Sequence, residues 1–463
     1  MLSGQSWMKH LAGIKRYDKN AKQVHRTRLR FPSPVPLRRD ELVFQWLWIK
    51  FILKLFKIFV KIMSTNSFSK DFFNIKGKNA EELIHELATK SFFIDWCFPN
   101  PKLPDNKELC DLLVIFDDIA IIFQIKNLKL KNGKYNKSEV KKNIKQLSGA
   151  RRQLFDLKTS VNLANSRRRP ELFDPSAIKK IFLISVLVGE GEDFSNFMDE
   201  VKNNSVHVFT SDFAKIVFKE LDTIKDFADY LQEKENLINN KQYMIIQGGE
   251  EELLAYYLAN ERTFQGIEKS DFVHFTGGSW ESFKSEERYK AKKEADKISY
   301  GWDSLIEKAH EGSEKYELVA RELARPSRLQ RRSLSKMFYD AQVFAHNKIN
   351  DKINIIRRVV SPDNSDTTYC FVFIDNFESI DKEAIENLLF STCHVARGIY
   401  KKPKVLGIAT EGKFNRMISY DFCYTYQADW NEQDQKIMEQ LQQKYGILTN
   451  IKTGNLIECE YPI

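Results

Sequence analysis

Asp111, Gln124 and Lys126 place an acid, an amide and an amine inside two short apolar runs, in the stretch CDLLVIFDDIAIIFQIKN (110–127). A two-residue turn at Asp117-Asp118 makes this stretch a β-hairpin, and counting outward from the turn sets its register. Phe116 faces Ile119, Ile115 faces Ala120, Leu113 faces Ile122 and Asp111 faces Gln124. Lys126 lies two residues beyond Gln124, so it shares that face. Three polar groups then meet at one end of a face otherwise filled by Leu113, Ile115, Ala120 and Ile122. An unpaired buried charge is costly, so groups placed like this are paired or bind a cation. A carboxylate, an amide oxygen and a backbone carbonyl suit a hard cation such as Mg2+. A neighbouring lysine can steady an attacking water or the charge developing on a phosphate. The residues leave two readings open: a metal-dependent site for phosphodiester hydrolysis, or a structural Asp111–Lys126 ion pair at a sheet rim.

The flanking sequence supplies elements to hold such a hairpin. AEELIHELATKSFF (80–93) repeats its apolar residues with helical spacing. Strands are expected at about 109–116 and 119–126, then a basic loop, then a helix from about Ser138 to Leu157 with Ser138 as its N-cap. KKIFLISVLVGEG (179–191) and VHVFT (206–210) read as buried strands, followed by the helical FAKIVFKELDTIKDFADYLQEKENLI. Helix, hairpin, helix and strand in that order imply an α/β sandwich up to about residue 240. A second region starts near Gln247–Gly249. It reads as charged helix to about Lys352, then strands at 368–377, 404–411 and 418–428 around the helix IDKEAIENLLFSTCHVARGIY, and a terminal helix EQDQKIMEQLQQKYGIL. No sequence repeat and no chemistry is evident in this half.

Asp-x12-Gln-x-Lys on a hairpin, preceded by a Glu-bearing helix and followed by a basic one, resembles the PD-(D/E)xK nuclease superfamily. It is most similar to the Mrr-type members, in which glutamine replaces the usual second acid. The resemblance covers about Gly77 to Gln153, extending at most to residue 210. It implies a restriction-endonuclease-like αβα core, followed here by a second mixed α/β or α+β region, and Mg2+-dependent endonucleolytic cleavage of DNA with Mn2+ as a substitute. On this chain it makes Asp111 a metal-ligating carboxylate, Gln124 an amide-oxygen ligand, Lys126 the residue that orients or activates water, and Glu81 the acid of the first helix, with Glu82 as second choice. Gln146 resembles a polar residue that some members carry near the site. Two departures stand out: Cys110 occupies the position of the motif proline, and Gln124 leaves the site one negative charge short.

Charge adds to this reading locally. The net charge of +9 is concentrated in residues 1–62, where 14 Lys and Arg oppose 3 Asp and Glu; the other 401 residues carry 58 against 60. Residues 124–180, however, hold 16 basic against 4 acidic residues. Lys129, Lys131, Lys134 and Lys137 fall in the loop leaving the hairpin, Lys141, Lys142, Lys145, Arg151 and Arg152 on the following helix, and Arg167–Arg169 in a loop. Such a block would hold phosphates without reading sequence; its bland alternative is a solvated face. A second cluster, Arg321, Arg325, Arg328, Arg331 and Arg332, is a further candidate nucleic-acid contact.

Residues 1–41 are basic and Pro-broken, and are expected to be disordered. Residues 42–62 form an apolar stretch striped by Lys50, Lys54, Lys57 and Lys61, which reads as a surface helix on an acidic membrane, a packed helix, or sequence that is not native. Met63 looks like a natural start. The six cysteines show no CxxC or zinc spacing and read as reduced core thiols. The eight histidines form no HExxH, and no Gly-x-Ser-x-Gly elbow or phosphate-binding lysine loop is present.

The expected organisation is therefore a basic extension at 1–62, a nuclease-like domain at 63–240 and a C-terminal region at 241–463 for recognition, regulation or oligomerisation. The expected protein is a cytoplasmic Mg2+-dependent DNA endonuclease, in bacterial defence or restriction if the resemblance extends that far, with RNA left open as substrate and a homodimer as one assembly. The rival reading is a nuclease-fold protein that binds nucleic acid or a protein partner without cutting.

Overall fold

The hairpin lies inside a six-stranded sheet, in the order 97–99, 112–116, 119–127, 180–188, 204–210, 198–201. The computed structural model describes residues 11–12, 14–16, 80–128, 136–189, 197–240, 243–312, 316–349, 354–413 and 419–462. Leu112–Phe116 and Ile119–Asn127 pair antiparallel, and Ile119–Asn127 then runs parallel to Lys180–Val188, itself parallel to Asn204–Thr210. Helices cover both faces. Lys137–Arg151 packs Val140, Ile144 and Leu147 onto Leu113, Ile122, Leu183 and Val206. On the opposite face Phe123, Phe92, Phe218 and Phe227 stack with ring centroids 5.1–6.1 Å apart, tying the helices Ala80–Phe92, Ser211–Glu220 and Ile224–Asn239 to the sheet. The period-2 strands and period-3.6 helices thus assemble as a mixed α/β fold of three layers.

Local chemistry sets the element ends. The 137–151 helix is capped by Asn136, whose side chain accepts from Ser138 N, two residues earlier than the expected Ser138 cap. The long helix expected after residue 210 is two helices, because Thr223 caps a new start by accepting from Asp226 N. Leu11–Ala12 and Ile14–Arg16, in the stretch expected to be disordered, instead pair parallel with Ile355–Ile356 and Ile451–Thr453. Exposed sheet edges accept such additions through the backbone, whatever the side-chain pattern.

A second sheet carries the C-terminal half: Ile355–Val360, Thr367–Ile374, Lys404–Glu411 and Tyr420–Tyr426 in spatial order. Lys382–Tyr400 covers the face bearing Val372, Cys370 and Ala409, and the helix Arg328–Lys348 covers the other through Phe338 on Phe371 and Phe373. Gly407 permits the first contact; a Cβ there would lie 2.7 Å from Cys393 Sγ. Both sheets repeat one element order: helix, antiparallel hairpin, helix, parallel strand. The repeat is topological and invisible in the residues. On the face of the second hairpin turned to the 382–400 helix stand Arg357, Val372 and Ile374, with Arg357 donating to Thr392 Oγ1 at 3.0 Å, and among the described residues neither strand carries a carboxylate like Asp111.

The chain divides into two units, residues 1–18 with 80–463, and residues 19–79; the second lies outside the described residues, as do the 42–62 segment and Met63. The first unit is not divided near residue 240, where a boundary was expected. Buried ion pairs cross that point: Lys234–Glu250 at 2.7 Å, Asp226–Arg262 at 2.8 Å and Asp222–Arg328 at 2.8 Å. Among the described residues no helix is long and apolar enough to cross a membrane.

Candidate active site

The hairpin has the register counted from its turn, with Leu112 opposite Phe123 and Leu113 opposite Ile122. Asp117 takes the left-handed conformation a tight turn needs, with φ 49°. One position beyond Leu112, the Asp111 carboxylate meets the next strand. Gln124 Nε2 donates to Asp111 Oδ1 at 2.7 Å, and the Ile125 backbone N–H donates to Oδ2. Asp111 is 8 % exposed. Burial pushes its carboxyl up to about 6, the carboxylates of Glu81 and Glu108 push the same way, and the Ile125 and Gln124 hydrogen bonds oppose the rise.

Lys126 does not pair with Asp111. Its ammonium lies 3.5 Å from Glu139 on the 137–151 helix, with the two side chains 33 % and 39 % exposed. The structural Asp111–Lys126 pair is thus not the arrangement adopted; the lysine is tethered to the helix instead. Glu81, in the first turn of the 80–92 helix, is half-buried and close enough to raise both Asp111 and Glu108, whereas Glu82 is exposed.

Two residues of this corner escape a reading of the sequence. Glu108 lies three positions before Asp111, outside the strand, where nothing in the pattern marks it. Asn100, in the left-handed region with φ 48°, donates its backbone N–H to the Asp111 carbonyl at 3.0 Å, and its side-chain amide, turned to donate, reaches Glu108 Oε1 at 3.0 Å. Asn143 sits on the buried face of the 137–151 helix and donates to the Gln124 carbonyl at 3.1 Å and to Ser185 Oγ at 2.8 Å. Its signal was legible: a lone amide at a core position between Val140, Ile144 and Leu147.

The basic residues divide into two sets. Lys141, Lys142, Lys145 and Arg152 are exposed around the 137–151 helix and its end and have no acidic partner among the described residues; Arg151 pairs with Asp156 at 2.9 Å. Gln146 is exposed, with no hydrogen bond to Asp111, Gln124 or Lys126 among the described residues. Lys129, Lys131 and Lys134 lie outside the described residues.

The other two arginine clusters are not free for phosphate. Arg167 is held by Glu307 at 2.5 Å and Asp95 at 3.1 Å, and Arg168 by Glu317 at 2.8 Å. Arg328, Arg331 and Arg332 are buried and committed to Asp222, Asp303 and Asp296 at 2.8–2.9 Å. Arg325 grips Asp117 at the hairpin turn at 2.5 Å, with Arg321 3.8 Å from the same carboxylate. The cluster expected to contact nucleic acid at 321–332 instead spends its charge on carboxylates: Arg321 and Arg325 hold the hairpin turn, Arg328 holds Asp222, and the buried Arg331 and Arg332 hold Asp303 and Asp296 within the C-terminal half.

Among the described residues no three of His, Cys, Asp and Glu converge as a ready-made cation site. The donor types nevertheless fit a hard divalent cation. Asp111 offers carboxylate oxygens, Gln124 an amide oxygen, and the like charges of Glu81 and Glu108 raise Asp111 in a way that a nearby cation would relieve. No family model matches the chain, and no curated protein or solved structure matches it.

Proposed function

We propose that the Asp111 corner is the active site of a Mg2+-dependent endonuclease of the PD-(D/E)xK type, acting on DNA from a restriction-endonuclease-like core. The observation that carries this reading is the juxtaposition of Asp111 with Gln124, hydrogen-bonded at 2.7 Å across the hairpin, with Lys126 next along the same face. Asp111, Gln124 and the acid Glu81 would hold the cation, which when bound supplies charge neutralisation at the phosphate and a more acidic water. Lys126, steered by Glu139, would orient the attacking water and offset charge on the phosphoryl oxygens. Asn143 fixes the Gln124 backbone against Ser185, so the amide ligand starts from a rigid strand. Lys141, Lys142 and Lys145 would receive flanking phosphates.

One observation favours the rival, non-cleaving reading: the site has a neutral glutamine where an acid would complete a cation cage. Incubation of DNA with the protein in Mg2+, Mn2+ or EDTA separates the two. A nuclease cuts only with metal. A binding platform holds DNA in all three conditions and leaves it intact.

A further inference from the structure

On the far sheet, away from the Asp111 corner, a concave site of about 310 Å³ opens between the 382–400 helix and the edge strand 420–426. Its volume lies at the lower end of the range for small-ligand sites, about 300–1,000 Å³. Phe390, His394, Arg397, Thr425, Tyr426 and Gln427 line it. Two large aromatic faces, Phe390 and Tyr426, are 54 % and 64 % exposed there. Behind them the rings form a ladder: Phe390 stacks on His394 at 6.4 Å and 25°, and His394 lies 5.0 Å from Trp430. The ladder is fixed from below. His394 Nε2 hydrogen-bonds the Asp434 carbonyl at 3.2 Å, and Arg397 donates to the carbonyls of Gln427 at 2.9 Å and Ala428 at 3.2 Å while lying over the Trp430 ring.

We propose that this pocket binds a nucleobase of single-stranded or locally unpaired nucleic acid, stacked on Phe390 and Tyr426. Planar aromatic walls select a planar ligand, and every base has a π-face to offer. The Arg397 guanidinium, held against the Gln427 and Ala428 carbonyls, puts a positive charge in the floor of the pocket, under the place a base would stack. The edge strand adds hydrogen-bonding groups for a base edge, since among the described residues Tyr420–Tyr426 pairs with Lys404–Glu411 alone. The proposal rests on the reading that the chain acts on nucleic acid, and gives the C-terminal half a part in it: capture of an unstacked base at a distance from the cutting corner.

The test uses the full chain in EDTA, so that no cleavage intervenes, and fluorescence anisotropy of a labelled thymidine decamer beside a labelled decamer of abasic sites. The decamer with bases should bind more tightly than the abasic one. Phe390→Ala and Tyr426→Ala should each remove about tenfold of that advantage, the order of one stacked base, while Phe390→Trp keeps it. Equal binding of the two decamers, or an advantage unchanged in both alanine variants, would overturn the proposal. Both residues are at the surface, and circular dichroism of the variants checks that the fold is intact. A chain that cuts DNA but shows no base-dependent binding would lose this proposal alone; one that binds bases here and cuts nothing would lose the nuclease reading alone.

Discussion

Asp111→Asn removes the one carboxylate that the site keeps at about 6. An ordinary aspartate titrates near 3.9, and each pH unit of displacement is worth about 1.4 kcal/mol. At neutral pH the ionised Asp111 therefore costs the folded state about 3 kcal/mol relative to the unfolded chain. The folded-state value is raised, so the penalty is absent well below pH 3.9, grows between about 4 and 6, and is constant above. Asparagine is neutral throughout and lacks this dependence. Urea unfolding of both proteins, followed by tryptophan fluorescence, should show wild type gaining about 2 kcal/mol on the variant between pH 7.5 and pH 4. Glu108→Gln removes one of the like charges and should narrow the window. Stability curves of wild type and Asp111→Asn that stay parallel across this range would refute the assignment of Asp111 as a strained, buried carboxylate.

Other expectations follow from the same geometry. Neutralising Lys141, Lys142 and Lys145 together should weaken DNA binding and lower the slope of log K against log salt by between about 2 and 3, measured by anisotropy at several salt concentrations. Arg331→Ala should destabilise the fold by roughly 3–5 kcal/mol in urea, because it strands Asp303 with one partner fewer in a buried network; a folded variant that lost only DNA binding would restore the nucleic-acid role of that cluster. A double-mutant cycle on Asp117 and Arg325 should give a coupling of about 1 kcal/mol, modest because the arginine is partly exposed. Ellman's reagent should find one fast thiol in the native protein, lost in Cys459→Ser, since Cys97, Cys110, Cys370 and Cys393 are buried.

The hairpin was legible because its register follows from a two-residue turn and from alternation, both local properties. The strand Lys404–Glu411 has the expected bounds for a related reason: an apolar run between turn signals leaves little freedom. The short edge strands at 97–99, 198–201 and 243–246 carried no such signal, since edge pairing is made by backbone groups. The roles of Glu108 and of Arg321–Arg332 were not legible either. Charge runs have the same composition whether they face solvent or a distant carboxylate, and Asp117 and Arg325 are far apart in the chain. The second sheet's repeat of the first was hidden because order and pairing recur while the polar residues at the corner do not.

The most direct measurement is cleavage of DNA by the full chain in Mg2+ or Mn2+, beside EDTA, Asp111→Asn and Lys126→Ala. The account predicts cutting that needs metal and is lost in both variants, with their folds intact by circular dichroism. A folded parent that cuts no DNA in either metal, or cutting that survives both substitutions, would contradict it.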